Sequence, residues 1–323
     1  MITLERASWR RPFVLLAVLA FLISVPVWAP NRFWINVASQ AVIFAIFAMS
    51  LDLLLGYAGM PSFGHAAFYA AGAYGCALWA LHRSPDLLPL LGVGLLAGAV
   101  LAVVGSLALR ARGIYFLMLT LAFAQMVWSV VSNNQLAGTL GGDIGLISVP
   151  RPTLPLLSDV SLFVASNFYF LTLAIAILVY LVLGGIVASP FGRTLEGIRE
   201  NESRMQSLGI STFRYRLAAF VIAGALAGLA GMLSASFNFS ATPASAFWTT
   251  SGLAMIAVIV GGTRSLLGPA VGAILVVLLQ FGLSSLPAKG LADHWQLVLG
   301  ASFIAFVLFL PSGIYSIVRG RPA

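Results

Sequence analysis

Two glycine-rich segments, one in each half of the chain, contain the residues that could bind or admit a solute. The first runs from Gly56 to His65 and combines three glycines with a proline, a serine and a histidine. The second runs from Gly261 to Pro269 and follows an unusually short apolar segment. Backbone that is not helical persists at membrane depth only where protein or water covers it, and paired interruptions are typical of the binding region of a transporter. We therefore expect a solute route that is lined or gated by Tyr57, Gly59, Ser62, Gly64 and His65, with Gly262, Thr263 and Arg264 opposite.

A simpler interpretation of the same segments stays open. The glycines then make tight turns at the membrane surface, and His65 is a buried histidine with its hydrogen bonds satisfied.

Asp52 lies inside the apolar run before the first segment, where a charge is costly, so it either caps the interruption or stays protonated. A strip of small residues in a later apolar run favours close helix packing. It comprises Ala219, Ala223, Gly224, Ala227, Gly228 and Gly231.

The side chains that would support enzymatic chemistry are missing from the sequence. The three histidines lie far apart, and the single cysteine, Cys76, stands in an apolar run, so neither a metal cluster nor a disulfide framework is predicted. A P-loop requires Gly-Lys-Ser/Thr, whereas the only lysine, Lys289, precedes Gly290. The sequence predicts no catalysis and no cofactor in this chain, and any use of ATP would require another polypeptide.

The elements that carry these segments are membrane helices. Hydrophobic residues make up 60% and charged residues 8% of the 323 residues, and the mean hydropathy is +1.02. A soluble domain carries roughly 25% charged residues, and each membrane crossing needs roughly 20 apolar residues. We expect an all-α polytopic membrane protein with about nine or ten transmembrane or broken helices and an inverted repeat. The apolar runs predict crossings at 12–28, 37–55, 67–81, 90–109, 114–132, 168–187, 217–239, 250–260, 266–286 and 295–310.

The basic residues orient these crossings. With the N-terminus in the cytoplasm, 13 of the 17 Lys and Arg residues fall on the cytoplasmic side, as the positive-inside rule expects. Both termini are then cytoplasmic. In a chain this apolar, the positions of the basic residues relative to the spans are more informative than the net charge of +8, so membrane lipid and no nucleic acid is the expected partner. Arg10 and Arg11 before a short apolar stretch also fit a cleaved signal peptide, but its removal would reverse the charge bias. The outer loop 133–167, rich in Gly and Pro, is either a folded-down lid or a plain connector.

A charged loop after the sixth crossing has the pattern of a docking helix. Ser189 and Pro190 form a typical helix start, and Gly209 is a typical stop. Within the loop, the apolar residues Leu195, Ile198, Met205 and Leu208 are spaced to share one side of a helix, and Glu200 stands four residues before Arg204. Acidic and basic residues nearly balance, whereas a helix on a lipid surface is usually strongly basic, so a protein partner is favoured over the lipid surface.

Three blocks of the sequence resemble one transporter family. They are the run from Phe191 through Glu202 with Leu208–Ile210 and Arg216–Phe220, the block Leu53–Phe68 with Gly72–Tyr74, and the block Gly261–Pro269. Together they resemble the permease subunits of branched-chain amino-acid importers, the LivH/LivM family of ABC transporters, and LivM more closely than LivH. Two departures are Ser203–Met205, where the family usually has small residues, and Met60–Pro61 after the glycine.

The resemblance implies a function and a set of partners. A permease of this family sits in the inner membrane and passes branched-chain amino acids or related small polar solutes into the cytoplasm. It pairs with a second, LivH-like permease as a heterodimer, with two cytoplasmic ATPases that hold ATP and magnesium, and with an extracytoplasmic solute-binding protein. The rival function is a stand-alone channel or secondary transporter, which would not explain the amphipathic loop.

The apolar runs and the resemblance together predict a division of the chain. Residues 1–323 form one transmembrane permease domain: six spans over 12–187, a cytoplasmic coupling loop over 188–214, and the remaining spans over 215–311. Nine residues of the loop are expected to couple to the ATPase: Leu195, Glu196, Ile198, Arg199, Glu200, Glu202, Met205, Leu208 and Gly209.

Overall fold

The computed structural model describes residues 22–26, 29, 31–153, 161–284, 295–309, 313 and 314. The described chain is almost entirely helical, because its long apolar runs satisfy their backbone hydrogen bonds internally. The helices are α1 Arg32–Asp52, α2 His65–His82, α3 Leu87–Gly105, α4 Ile114–Val131, α5 Ala137–Leu140, α6 Ala165–Ala188, α7 Pro190–Glu200, α8 Glu202–Ser207, α9 Thr212–Asn238, α10 Trp248–Gly261, α11 Leu267–Ser284 and α12 Trp295–Phe309. A π-helical segment, Leu53–Tyr57, extends α1, and short 3-10 segments lie at Ser106–Arg110, Asn134–Leu136 and Pro243–Ala246.

The predicted crossings coincide with helices wherever the structure describes them. Five helical stretches among the described residues are long and apolar enough to span a membrane: Arg32–Tyr57, Leu87–Arg110, Ile114–Val131, Ala165–Ala188 and Thr212–Asn238. The short crossing predicted at 250–260 is the 14-residue helix α10. Apart from residues 22–26, which are helical, the crossing predicted at 12–28 lies outside the described residues. The chain is a polytopic all-α membrane protein, and the inverted repeat and the placement of the termini stay predictions.

Helix α9 lies at the centre of the core, packed between α2, α3 and α1. A Cβ atom added to Gly72 of α2 would meet the backbone of Gly228, and one added to Gly98 of α3 would meet the carbonyl of Gly224. The predicted strip of small residues is therefore confirmed as a close-packing surface, because backbone meets backbone across it.

The described part of the loop 133–167, which is predicted to lie on the outer side, is folded onto the helices. Its strand β1, Leu146–Ile147, pairs antiparallel with β2, Ser240–Ala241, which directly follows α9. Arg151 is buried between the rings of Phe168 and Phe239, with its guanidinium carbon 4.9 and 4.7 Å from the ring centroids. Its Nη1 donates to the Leu162 carbonyl at 2.7 Å, and burial lowers the pKa of this guanidinium below its ordinary value. These contacts support the interpretation of the loop as a folded-down cap over that of a plain connector.

Candidate functional site

The charged loop after α6 forms two helices, not one. Helix α7 begins at Pro190, as predicted, but ends at Glu200, because Asn201 adopts an extended conformation. The Asn201 side chain accepts a hydrogen bond from the backbone N–H of Arg204 at 3.0 Å and so caps α8. The single amphipathic helix and the Glu200–Arg204 helical pair predicted from the sequence are therefore wrong. Gly209 does end the second helix, with a φ of +80°.

The first interruption of the helices, at the glycine-rich segment from Gly56 to His65, begins with the π-helical turn at the end of α1. Single π-turns inside α-helices often mark functional positions. After it, Gly59 adopts a φ of +67°, and the chain reaches α2 at His65. The segment between these helices is the one that the sequence pattern predicted to be non-helical.

The second interruption, at the glycine-rich segment from Gly261 to Pro269, lies against the first. Helix α10 ends at Gly261, and Arg264 adopts a left-handed φ of +63° in the turn that follows. The backbone N–H of Arg264 donates to Oδ1 of the buried Asp52 at 3.2 Å. A Cβ on Gly56 would come within 2.9 Å of the Arg264 nitrogen, so a glycine is needed where the two segments meet. Asp52 therefore holds the second interruption rather than capping the first.

Helix α7 contacts both interruptions. Nη1 of Arg199 donates to the Gly56 carbonyl in the first. Oε1 of Glu196 accepts from Nη2 of Arg264 in the second, at 3.4 Å. The Arg199 side chain also crosses Gly59 so closely that a Cβ there would lie 2.7 Å from its Cγ. A displacement of α7 would therefore act on both broken segments at once.

Glu202, at the start of α8, joins this unit to the ends of two spanning helices. Its Oε1 lies 3.3 Å from Nη2 of Arg112, before α4, and 3.6 Å from Nη1 of Arg216, in α9. It also accepts from the hydroxyl of Thr212 at 3.0 Å. Glu202 is among the residues predicted to couple to an ATPase, and Arg216 was named only within a block that resembles the permease family, so the contacts of Glu202 with Arg112 and Arg216 were not predicted. The only available signal was their position at the predicted cytoplasmic ends of spans.

Comparison with known proteins identifies the family. The profile of one family, described as "Branched-chain amino acid transport system / permease component", matches residues 33–307. The chain belongs to this family.

Individual relatives agree with the match. The chain is 28% identical to the high-affinity branched-chain amino acid transport system permease protein LivM of Escherichia coli, over 98% of this chain and 77% of the relative. It is 27% identical to the protein of the same name in Salmonella typhimurium, over the same shares of both chains. It is also 26% identical to a probable permease protein LivH of Methanocaldococcus jannaschii, over 84% of this chain and 88% of the relative. No solved structure gives a significant match.

In this permease, four of the residues predicted to form the solute route are buried within the chain. Tyr57, Ser62, Gly64 and His65 are all buried, so they line no open route in this conformation. The His65 Nε2 lies 2.8 Å from the Ser50 hydroxyl, as the simpler interpretation expects, although its Nδ1 has no partner among the described residues. Their role as a gate stays a prediction.

A glycine-to-leucine change at Gly64 cannot test that role. A Cβ at this position would lie 2.8 Å from the Thr120 carbonyl, so the substitution would disturb packing whatever the residue does. Of the remaining predicted route residues, Gly59, Thr263 and Arg264 are exposed and Gly262 is buried. Gly262 has a φ of +108°, a backbone conformation that favours glycine.

The residues predicted to couple to an ATPase fall into two groups. Leu195 and Ile198 are buried against this chain, and Met205 packs on Gly197, so the permease itself covers these three of the four apolar residues. Glu196, Arg199 and Glu202 contact other parts of the chain, as described above. The outward-facing group consists of Glu200, Leu208 and Gly209.

Replacing Glu202 with glutamine tests the ion pairs that join α8 to the two spanning helices. The Glu202 side chain is 21% exposed and that of Arg216 9%, and Glu202→Gln leaves the Arg216 charge without its partner. Breaking a fully buried pair costs about 3–5 kcal/mol, so we expect about 1–3 kcal/mol here because water still screens part of the pair. Thermal unfolding of the purified permease in detergent measures the loss. Glu200→Gln, at an exposed position in α7, is the control. An equal loss of stability in both variants would contradict a stabilising role for the Glu202 ion pairs.

Proposed function

We propose that this permease is the membrane-spanning subunit of an ATP-driven importer that admits branched-chain amino acids, or related small polar solutes, across the inner membrane. The chain acts as a transport subunit, and a separate ATPase hydrolyses ATP. The names of the relatives, which are branched-chain amino acid transport permeases, support the solute class. The observation that carries the proposal is the double contact of α7 with the two broken segments.

The mechanism follows from that contact. An ATPase that binds the exposed positions of α7 and α8 moves these two helices as it binds and hydrolyses ATP with magnesium. Arg199 and Glu196 transmit the movement to the backbone at Gly56 and to Arg264, which Asp52 holds together. The non-helical segments change conformation more readily than intact helices because fewer backbone hydrogen bonds hold them. The helices on either side then rock between outward and inward access.

Further subunits complete the proposed importer. A second, LivH-like permease pairs with this one, two ATPases hold ATP and magnesium, and an extracytoplasmic binding protein delivers the solute. Relatives named LivM and LivH occur together in Methanocaldococcus jannaschii, which supports a paired permease. The cap formed by the outer loop provides an ordered surface for the binding protein.

Site-specific crosslinking tests the ATPase contact. The single cysteine, Cys76, is buried, so Cys76→Ala provides a background for new cysteines. Leu208 is 70% exposed beside α8, and Ile144 is 72% exposed in the outer loop. We expect Leu208→Cys to crosslink to a co-purifying cytoplasmic ATPase, whereas Ile144→Cys does not. Uptake of labelled leucine into proteoliposomes that contain the purified complex should require ATP on the side of the membrane where the ATPase lies.

Two results would contradict the proposal. One is solute uptake by the purified chain alone, without nucleotide, which would favour the channel or secondary transporter. The other is crosslinking of Leu208→Cys to lipid only, in a complex that still transports, since the loop would then not be the ATPase contact.

A further inference from the structure

A polar cavity lies between the helices on the side of the molecule away from α7. Its volume is about 240 Å³, and it is bounded by α1, α2, α9, α10 and α11 together with the irregular segment after β2. Gln40, in its wall, is eight residues into α1 from Arg32, which is roughly 12 Å along the helix. The cavity therefore lies within the depth of the spanning helices, beneath the outer cap, and none of the residues predicted from the sequence to form the route lines it.

One wall of the cavity carries uncharged hydrogen-bonding groups. Gln40 and Gln280 line it with side-chain amides that can donate and accept hydrogen bonds. The hydroxyls of Ser245 and Thr250 donate to the carbonyls of Thr242 and Ala244, at 2.7 and 3.2 Å. Their oxygens keep lone pairs that can accept further bonds. The wall thus offers both amide N–H donors and oxygen acceptors.

The apolar wall of the cavity lies one helical turn from these polar groups, on the same helices. Ile43, Phe44, Leu253 and Val277 line it, from α1, α10 and α11. Ligand sites combine such apolar surface with a few polar groups that fix orientation, and pockets for drug-sized ligands measure about 300–1,000 Å³. This smaller cavity suits a solute the size of a single amino acid.

We propose that this cavity is a binding station for the solute within the permease, and that it selects small amphipathic solutes without net charge, such as zwitterionic amino acids with aliphatic side chains. This inference rests on the proposed transport function and adds the site and its selectivity. The carboxylate of such a solute meets the amides of Gln40 and Gln280, its ammonium meets the hydroxyl oxygens of Ser245 and Thr250, and its side chain lies on the apolar wall.

The absence of charge explains the selectivity. No residue of the cavity wall is charged among those the structure describes. A solute with net charge would lose its hydration without gaining an opposite charge, which is costly. A zwitterion carries both charges on one small group, and uncharged dipoles can pair with both. The same lack of fixed charge keeps binding weak enough for release, as transport requires.

The irregular backbone around the cavity supports this role. After α9 ends at Asn238, the chain runs through β2 and the 3-10 segment Pro243–Ala246 before α10 begins. Non-helical backbone at this depth is tolerated where it lines a cavity or is covered by protein. Here it contributes Thr242 and Ser245 to the cavity wall, and β2 ties it to the outer cap.

Cysteine protection tests the site directly. In the Cys76→Ala background, Ser245→Cys places a nearly isosteric thiol in the wall, and Thr139→Cys places one in the exposed outer loop. We expect a membrane-impermeant thiol reagent to modify both. Leucine at about ten times its Kd should slow modification of Ser245→Cys roughly tenfold. It should leave Thr139→Cys unchanged, and lysine or glutamate should protect neither.

Uptake kinetics provide the second measurement. Gln280→Leu removes an amide from the wall, and we expect the KM for leucine uptake to rise about tenfold, as the loss of one hydrogen bond to a charged group predicts. Gln135→Leu, in the exposed outer loop, is the matched control and should leave KM unchanged.

The results separate this inference from the proposed function. ATP-driven leucine uptake by the wild-type complex, together with no protection at Ser245→Cys and an unchanged KM in Gln280→Leu, would overturn the binding station and leave the transport function intact. Equal protection by lysine would overturn the selectivity. Failure of wild-type uptake would count against the proposed function itself, and the protection assay, which needs no ATP, would still report whether the cavity binds leucine.

Discussion

The Arg199→Met variant is expected to lose at least about nine-tenths of its ATP-driven solute uptake while it still binds the ATPase. Methionine keeps a long apolar side chain beside Gly59 but cannot donate to the Gly56 carbonyl. A hydrogen bond from a charged donor contributes about 1.5–3 kcal/mol, and about 1.4 kcal/mol corresponds to a factor of ten. The contact between α7 and the first interruption would therefore be populated at least about tenfold less.

The measurement compares uptake with ATP hydrolysis in the same proteoliposomes. We expect hydrolysis to continue while uptake falls, because the exposed positions of α7 and α8 that we propose as the ATPase contact are unchanged. Arg193→Met is the matched control, since Arg193 is an exposed arginine in the same helix. Equal uptake by the Arg199→Met and Arg193→Met variants would show that the hydrogen bond to Gly56 transmits nothing.

A valine in place of Gly228 is expected to prevent folding of the permease. A Cβ at this position would meet the carbonyl of Gly94, and Gly72 approaches Gly228 from the other side. Overpacking a core with side chains costs about 1–3 kcal/mol, and here the obstacle is backbone on two neighbouring helices, which cannot change rotamer. We expect a loss above about 3 kcal/mol, seen as aggregation in size-exclusion chromatography after extraction in mild detergent.

Gly185→Val separates this effect from the general consequences of adding valine to a membrane helix. Gly185 lies in α6, and a Cβ there has open space within 4 Å. The variant should elute as the wild type does. A monodisperse Gly228→Val protein with wild-type elution would contradict the close packing of α2, α3 and α9.

The sequence predicted the helices well because their signals are local. Apolar runs long enough to cross a membrane occur in no other fold class with so few charges, so the crossings after the first appeared within a few residues of their observed bounds. The small residues of α9 are spaced four apart, and this periodicity correctly indicated close packing. Glycine-rich blocks likewise marked where the helices break, because glycine adopts the left-handed conformations that such turns require.

The coupling loop was predicted less well. Four apolar residues at helical spacing suggested one continuous helix, but Asn201 accepts hydrogen bonds from the following turn and starts a second helix. The preference of asparagine for helix N-caps was a local signal that the periodicity concealed. The same apolar residues were expected to face an ATPase, whereas Leu195 and Ile198 are buried in this chain.

By itself, the sequence determined that this protein is a polytopic helical membrane protein with two broken segments and a charged loop, and that it resembles a known permease family. The tertiary structure alone decided that Asp52 binds the backbone 212 residues away at Arg264, and that α7 contacts both breaks. It also decided that glutamines from α1 and α11 share one cavity. Composition, periodicity and turn residues act through neighbours along the chain, whereas these contacts depend on how helices pack in three dimensions, which no local pattern specifies.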